Sequence, residues 1–211
     1  MPRDGHKTKQ RILDAAQACV MERGFAATSV DDIQEAAGIS RGTFFYHYPT
    51  KDALARALIQ RYADEDRALE DRLMARAEQL ATDPLQQTLI FLALHEDLFQ
   101  EGGPAEAGCL FASYSYEAGV FDAGTRAVIR SSIEHWRGLL GGKLSAALER
   151  HPALVPDTDP YVLADVAYAQ LQGAYVLWRE LGDPALMVRH VRQLRSYVQL
   201  LFGVAESGAA R

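Results

Sequence analysis

Cysteine is scarce in this chain of 211 residues, which contains only Cys19 and Cys109. Neither lies in the paired Cys/Cys or Cys/His spacing that structural zinc sites use, and two thiols cannot build the disulfide framework of a small secreted domain. The sequence therefore predicts no metal site and no cofactor. It also favours a reducing compartment.

Long hydrophobic runs are missing too, although 48% of the residues are hydrophobic. No stretch is apolar enough to span a bilayer, and none has the layout of a secretory signal. The chain also lacks alternating strand patterns, Gly/Ser-rich linkers and internal repeats. We expect a soluble, cytoplasmic, all-α protein of one or two domains, without a membrane partner.

Positive charge is in deficit overall, with a formal net charge of −6, but the deficit is uneven. Residues 1–61 carry nine Lys and Arg against seven Asp and Glu, whereas residues 62–211 carry thirteen against twenty-one. DNA would repel so acidic a C-terminal part. Any contact with nucleic acid is therefore expected in the N-terminal part alone.

Catalytic constellations are absent as well. His95 is followed at position 99 by Phe99, so the histidine spacing of zinc proteases fails. The glycine pair that ends at Gly103 is followed by Pro104, which leaves no phosphate-binding loop. We expect no enzymatic activity.

What the chain does contain is a helix-turn-helix pattern within residues 28–51. Thr28 is placed to cap a first helix, with Asp31 in the capping-box position, and Gly38 is placed to end that helix in a left-handed turn. Ser40 then caps a second helix, residues 41–47, which is rich in groups that meet bases and phosphates. Such a helix suits the major groove of DNA.

A third helix is predicted to start after Pro49, capped by Thr50, with Lys51 in its first turn. A cation there opposes the helix dipole, and a DNA phosphate at the same helix N-terminus would offset that penalty. The pattern indicates a phosphate contact for Lys51, with a solvated surface lysine as the alternative.

Basic residues also precede the helix-turn-helix, as a loose arm that leads into a first helix. Lys7 is the candidate phosphate contact in this arm, and a solvated tail is the alternative. Gly24 is expected to end the first helix. The arm comprises Arg3, Lys7, Lys9 and Arg11, and the apolar stripe of the helix comprises Ile12, Ala16, Cys19 and Val20.

Residues 8–60 resemble the tetracycline-repressor (TetR) family of bacterial transcriptional regulators. So many agreements at fixed spacing are far more specific than a bare helix-turn-helix pattern. The residues that carry the resemblance are Gly24-Phe25, Thr28-Ser29-Val30, Ile33, Ala36-Ala37-Gly38-Ile39-Ser40, Gly42-Thr43-Phe44, His47-Tyr48, Lys51 and Leu54.

The resemblance implies roles for individual residues. Those at family positions that approach base edges are Arg41, Gly42 and Thr43, and those at phosphate-contacting positions are Tyr46, His47 and Lys51. Thr28 and Ser40 match caps that often touch the DNA backbone. Phe45 stands where the family commonly has a phosphate-binding tyrosine, so the hydroxyl is missing there and Tyr46 is expected to supply it. Phe44 is expected to anchor the second helix in the core.

The remainder of the chain is predicted to be helical over residues 51–80, 84–100, 105–118, 123–150, 160–181 and 184–204. The predicted domains are a helix-turn-helix DNA-binding domain, residues 1–55, and a helical ligand-binding and dimerisation domain, residues 56–211.

The last two predicted helices carry apolar stripes typical of a coiled-coil-like seam. Family members dimerise through these helices, so the resemblance favours a homodimer interface, although both helices closing their own core is the alternative. The interface residues predicted are Leu163, Val166, Gln170 and Ala174 on one helix and Met187, Val191, Leu194, Val198 and Leu201 on the other.

Aromatic residues concentrate between these parts, as a pocket for a small, partly apolar inducer requires. Ordinary core packing is the alternative for each of them. Cys109, in a Gly-Cys-Leu segment, offers a second hypothesis, because some family members with a similar segment sense electrophiles or oxidants. The predicted ligand-binding residues are Phe91, His95, Phe99, Cys109, Tyr114, Trp136, Tyr168, Tyr175 and Trp178.

The sequence thus predicts a homodimeric transcriptional repressor of a palindromic double-stranded DNA operator, released by a small-molecule inducer. Two alternatives stay open at this point: a thiol-based regulator acting through Cys109, and a helical dimeric adaptor without specific DNA binding.

Overall fold

The computed structural model describes residues 2–102, 108–117 and 119–204, and every regular element within them is an α-helix. The prediction of an all-α fold is confirmed. None of these helices is both long and apolar enough to cross a bilayer. They are α1 (Pro2–Arg23), α2 (Val30–Ala37), α3 (Arg41–His47), α4 (Lys51–Leu80), α5 (Pro84–Gln100), α6 (Leu110–Tyr116), α7 (Ala123–Arg150), α8 (Pro160–Leu181) and α9 (Ala185–Leu201).

Local signals set the ends of the long helices. Asp83 caps α5 by accepting a hydrogen bond from the amide three residues on at 3.1 Å, and Pro84 occupies the first turn. Asp159 caps α8 in the same way, and Gly182 ends it at φ +67°. The predicted bounds of α4, α5, α7 and α8 are confirmed, whereas α9 is shorter than the predicted 184–204.

The N-terminal basic residues belong to a helix, which corrects the prediction of a loose arm. Helix α1 begins at Pro2, since proline is well accommodated in a first turn. Lys7, Lys9 and Arg11 are exposed on its surface, and Ile12, like the rest of the predicted apolar stripe, is buried beneath it. Lys7 therefore projects from a helix rather than from a mobile tail.

Helix α6 is shorter than the helix predicted for residues 105–118. Residues 105–107 and 118 lie outside the described part of the chain. Gly108 and Cys109 precede the helix, and Cys109 is extended, with φ −125° and ψ 126°. A Cβ atom at Gly108 would lie 2.7 Å from the Met21 Cε, so a larger residue there would have to displace the end of that flexible side chain.

The described residues divide into two compact units. The first contains those within 1–66 and 108–132, and the second those within 67–107 and 133–211. The first unit thus includes α6 and the start of α7, besides the helices of the predicted DNA-binding domain. The boundary predicted between residues 55 and 56 remains a prediction.

The core of the second unit is built from α4, α5, α7, α8 and α9, and it absorbs the apolar stripe of α9. Each side chain of this stripe is at most 4% exposed in a single chain, so the stripe leaves little surface for a partner, and the dimer interface predicted on it stays a prediction. Ala174 of α8 is fully buried as well. The stripe of α9 comprises Met187, Val191, Leu194, Val198 and Leu201.

A different stripe, on α8, faces outward. It consists of Val162, Val166, Ala169, Gly173 and Val176, all exposed, at alternating spacings of four and three residues. Of the residues predicted for the interface on α8, only Val166 lies on this outward stripe. Leu163 is half-buried against the core, and the Gln170 side-chain amide donates to the His190 carbonyl at 2.9 Å.

Candidate nucleic-acid interface and candidate ligand-binding core

Helix α2 is capped one residue later than its sequence predicted. Ser29 Oγ accepts a hydrogen bond from the Asp32 amide at 3.0 Å, and Asp32 Oδ2 accepts one from the Ser29 amide at 2.7 Å. The side-chain and backbone donors of Ser29 lower the pKa of Asp32 below its ordinary value. Thr28 is fully buried and its hydroxyl donates to the Gly24 carbonyl at 2.7 Å. Its side chain therefore has no surface to offer a phosphate.

The turn and the cap of α3 are confirmed. Gly38 adopts the left-handed conformation, with φ +60°, and its amide donates back to the end of α2. Ser40 Oγ accepts from the Thr43 amide at 3.2 Å. Phe44 is fully buried and anchors α3, as expected. These contacts hold α2 and α3 as one helix-turn-helix.

The outward face of α3 carries most of the predicted DNA contacts. Ser40, Arg41, Gly42, Phe45 and Tyr46 are exposed, and Tyr46 is the most open of the aromatic residues here, at 84%. Two further predicted contacts, Thr43 and His47, are half-buried. A row of guanidinium, hydroxyl and aromatic groups on one helix is what base edges and phosphates require.

Arg41 contacts two neighbours in the free protein. Its Nη1 lies 3.0 Å from Asp31 Oδ1, and the guanidinium carbon lies 5.4 Å from the centre of the Phe45 ring. Phe45, which lacks the hydroxyl of the family's tyrosine, thus supplies an aromatic surface for the arginine. Asp31 is free for this pairing because Asp32, not Asp31, belongs to the capping box.

Lys51 does not stand free at the start of α4. Its Nζ donates to the Phe25 carbonyl at 2.7 Å and lies 3.5 Å from the Ala26 carbonyl. The ammonium also sits 4.3 Å from the centre of the Phe25 ring, and burial lowers the pKa of Lys51. Two backbone carbonyls thus bind the ammonium that the sequence assigns to a phosphate. The phosphate contact of Lys51 stays a prediction.

Sequence reasoning missed Glu117, whose carboxylate accepts hydrogen bonds from the amides of Phe25 and Ala26. The partners are separated by 92 and 91 residues along the chain. No local sequence pattern predicts a hydrogen bond between residues so far apart along the chain.

The predicted ligand-binding residues do not form one group, because Cys109 and Tyr114 lie in the first unit. Tyr114 is 1% exposed, stacks on Phe121 at 4.1 Å and packs against Phe25 at 5.6 Å. Burial raises the pKa of its phenol. Tyr114 is a core residue of the first unit. Cys109 is 7% exposed, and its sensing role stays a hypothesis.

The other seven predicted residues lie in the second unit as two aromatic groups. Phe91, His95, Trp136 and Tyr168 form a chain of ring contacts with centroid distances between 4.6 and 6.4 Å. Tyr175 lies 6.3 Å from Phe99 and 6.2 Å from Trp178, which makes the second group. The first group has the buried polar atoms that a binding site needs.

Those polar atoms belong to His95 and Glu70. His95 Nδ1 lies 3.0 Å from the Phe91 carbonyl, and a carbonyl only accepts, so Nδ1 carries a proton. His95 Nε2 lies 3.1 Å from Glu70 Oε1, and that bond needs a second proton, on the imidazole or on the carboxyl group. Both side chains are more than nine-tenths buried. His95 and Glu70 thus form a buried polar pair next to the rings of Phe91 and Trp136.

An apolar crevice of about 10 Å³ lies elsewhere in the same unit, lined in part by Thr88, Leu140, Leu163 and Ala167. That volume is close to the space needed by a single water molecule. A ligand entering this crevice therefore has to displace side chains. Among the residues that the structure describes, no group of three or more His, Cys, Asp or Glu is placed to hold a metal ion.

Two family models match the chain. The model described as bacterial regulatory proteins, tetR family, matches residues 12–58. The model described as tetracyclin repressor-like, C-terminal domain, matches residues 85–194, which is just over half of the chain. The two matches follow each other along the chain, and residues 59–84 lie between them.

Curated relatives and solved structures agree with these matches. The HTH-type transcriptional regulator EthR of Mycolicibacterium smegmatis is 30% identical over 171 residues, which are 74% of this chain and 67% of that protein. The HTH-type transcriptional repressor DhaR of Mycobacterium sp. strain GP1 is 24% identical over 172 residues, 79% of each protein. A TetR-family regulator from Agrobacterium tumefaciens matches with a TM-score of 0.75 at 22% identity, covering 92% of this chain and 98% of that chain. At that identity the structural likeness concerns the fold alone.

Proposed function

We propose a specific function for this chain, which belongs to the tetracycline-repressor (TetR) family of bacterial regulatory proteins and is a DNA-binding transcriptional regulator. It acts as a homodimer that represses from a palindromic operator, and a small-molecule inducer releases it. A regulator of chromosomal DNA in a bacterium works in the cytoplasm.

The exposed face of α3 is the observation that carries this proposal. Arg41 is presented by Asp31 and Phe45, while Phe44 fixes the helix from beneath. An exposed arginine at the start of a recognition helix suits bidentate contacts to guanine in the major groove. Tyr46, and Lys7 on α1, add donors for the phosphate backbone.

The outward stripe of α8 supports the homodimer. Its valines lie at coiled-coil spacing together with Ala169 and Gly173, and exposed Tyr197 and Leu200 add apolar surface on α9. Small residues on this stripe let two copies of α8 approach closely, and apolar stripes of this kind mark protein interfaces. The dimer interface proposed here is therefore the α8 stripe rather than the buried stripe of α9.

The aromatic group around His95 and Glu70 supports the inducer site. Apolar rings with a buried hydrogen-bonding pair suit a small, partly apolar molecule. The inducer favours a state in which the helix-turn-helix units of the two protomers no longer match successive major grooves, about 34–36 Å apart. A molecule that bound both states equally would not switch the protein.

Selection from a randomised duplex pool, at two salt concentrations and with the stoichiometry of the winning complex measured, tests the proposal. We expect a palindromic consensus bound by one or two dimers, weakening steeply with salt. The Arg41→Ala variant is the matched control and is expected to give a less defined consensus. If no sequence is enriched at either salt concentration, the protein does not bind DNA sequence-specifically, and a helical dimeric adaptor becomes the favoured function. The selected duplex then permits screening of inducers and of thiol reagents against Cys109.

A further inference from the structure

The loop between α1 and α2, residues 24–28, has its backbone polar groups satisfied by two distant side chains of opposite charge. The amides of Phe25 and Ala26 donate to Glu117 Oε1 and Oε2, each at 2.7 Å. The carbonyl of Phe25 accepts from Lys51 Nζ at 2.7 Å. One carboxylate with both oxygens engaged by consecutive amides makes a specific, charge-assisted contact.

Glycine at position 24 makes this contact sterically possible. Gly24 has φ +83°, a conformation that favours glycine. A Cβ atom there would lie 2.8 Å from Glu117 Oε1, inside the contact distance of real Cβ atoms. The loop is closed further by the Thr28 hydroxyl, which donates to the Gly24 carbonyl at 2.7 Å. The loop is thus shaped to receive the carboxylate.

Glu117 itself is fixed by the aromatic core of the same unit. It follows α6 directly, three residues after Tyr114, whose ring stacks on Phe121. The Phe25 ring, 2% exposed, packs on Phe121 at 4.9 Å and on Tyr114 at 5.6 Å. Ring packing and the carboxylate contact therefore join residues 24–28 to the same stretch of chain, the one that carries Tyr114, Glu117 and Phe121.

We infer that Glu117 is a positioning residue for operator recognition, which rests on the proposed DNA-reading function. The loop that it holds leads straight into Ser29, the cap of α2, and the Gly38 turn ties α2 to α3. Because the carboxylate fixes where α2 starts, it fixes the placement of the α3 face within this unit. Glu117 touches no base or phosphate in this role.

The Glu117→Gln variant of the full chain tests the inference. The amide keeps the size of the side chain, but one acceptor oxygen becomes an NH₂ group that faces a backbone N–H. We expect binding to the selected duplex to weaken about tenfold, the factor that one charge-assisted hydrogen bond is worth. Binding to a scrambled duplex of equal length should change by less than about twofold, because phosphate contacts remain. Simple loss of folded protein would weaken both equally.

The sign of the effect separates positioning from charge. Removing one negative charge by itself favours binding to DNA. Glu134→Gln, on an exposed position of α7, makes the same charge change and is the matched control. It should bind both duplexes as tightly as the wild type or more tightly. Glu117→Asp keeps the charge and shortens the side chain, and it should lie between the wild type and Glu117→Gln in its preference for the selected duplex.

Amide hydrogen exchange, measured without DNA, gives an independent readout. The Phe25 and Ala26 amides should exchange about tenfold faster in Glu117→Gln than in Glu134→Gln. Unchanged exchange at these amides, or equal weakening on both duplexes, would overturn the inference. If no duplex is selected at all, the proposed function fails and the recognition role with it, while the exchange rates still decide whether Glu117 holds the loop.

Discussion

Replacing Lys51 with methionine separates the two roles that its sequence and its structure suggest. Methionine keeps the length of the apolar stem and removes only the ammonium. In the free protein that ammonium donates to the Phe25 carbonyl at 2.7 Å and lies over the Phe25 ring. The structure therefore predicts a loss of stability, whereas a pure phosphate contact predicts a loss of DNA affinity alone.

The expected loss of stability follows from these two contacts. A hydrogen bond from a charged group is worth about 1.5–3 kcal/mol, and a partly exposed cation–π contact about 0.5–1 kcal/mol. Lys51 is only half-buried, so water screens part of both, and we expect a net loss of about 1–2 kcal/mol. For a chain of this length the melting temperature should fall by about 2–4 °C per kcal/mol.

The assay combines thermal unfolding with DNA binding at several salt concentrations. Lys7→Met is the matched control, because Lys7 is exposed on α1 and makes the same charge change. It should reduce the dependence of log affinity on log salt by about one phosphate contact and leave the melting temperature unchanged. If Lys51→Met instead behaves in this way, with no loss of stability, Lys51 is a phosphate-binding residue and the structural role is refuted.

Three further predictions concern recognition, assembly and packing. Arg41→Ala should relax the preference at one operator position by about 1–3 kcal/mol, measured by repeating the duplex selection, and an unchanged consensus would contradict the base-reading role. Val166→Asp should convert the dimer to a folded monomer in sedimentation equilibrium, because it brings like charges together across the proposed two-fold axis; a persistent dimer would place the interface elsewhere. Gly142→Ala should stabilise α7 by up to about 1 kcal/mol, since a Cβ there meets open space, whereas at Gly141 it would lie 2.5 Å from the Tyr161 ring. Gly141→Ala should therefore be the less stable of the two in thermal unfolding, by about 1–3 kcal/mol.

Element ends were the best-predicted part of the fold, because the signals that set them are local. Each of the residues that set these ends acts within one turn of its own helix and can be recognised from the sequence alone. They are Asp83, Pro84 and Gly182. The cap of α2 shows where local reasoning stops. Thr28 with Asp31 and Ser29 with Asp32 have the same spacing, and the choice depends on Thr28 being buried by the tertiary fold.

Apolar periodicity predicted which helices bury a stripe, but not what covers the stripe. Met187 and Val198 lie on a seam with the expected spacing, and the unit's own core covers them. The outward stripe of α8, with valines at Val162 and Val176, has the same periodicity and stays exposed in a single chain. Only the packing of the other helices distinguishes the two.

Long-range contacts decide which side chains meet in the candidate ligand core, and the sequence does not show these contacts. An aromatic residue has the same composition signal whether it lines a pocket or fills a core, so the sequence groups Tyr114 with residues that lie in the other unit. Glu70 and Glu117, by contrast, give no signal in the sequence at all. Each is an ordinary glutamate in its local sequence and acquires its role from a partner at least 25 residues away.

The pairing of Arg41 with Asp31 has a consequence for how quickly the protein leaves the wrong DNA. Both side chains are largely exposed, so the pair is weak and Arg41 can exchange one partner for another at little cost. If Arg41 reads base edges as proposed, a site with a bidentate acceptor would favour the exchange, whereas elsewhere the arginine would keep its aspartate. On non-matching sequences the helix-turn-helix would then hold the duplex by phosphate contacts alone and would dissociate faster.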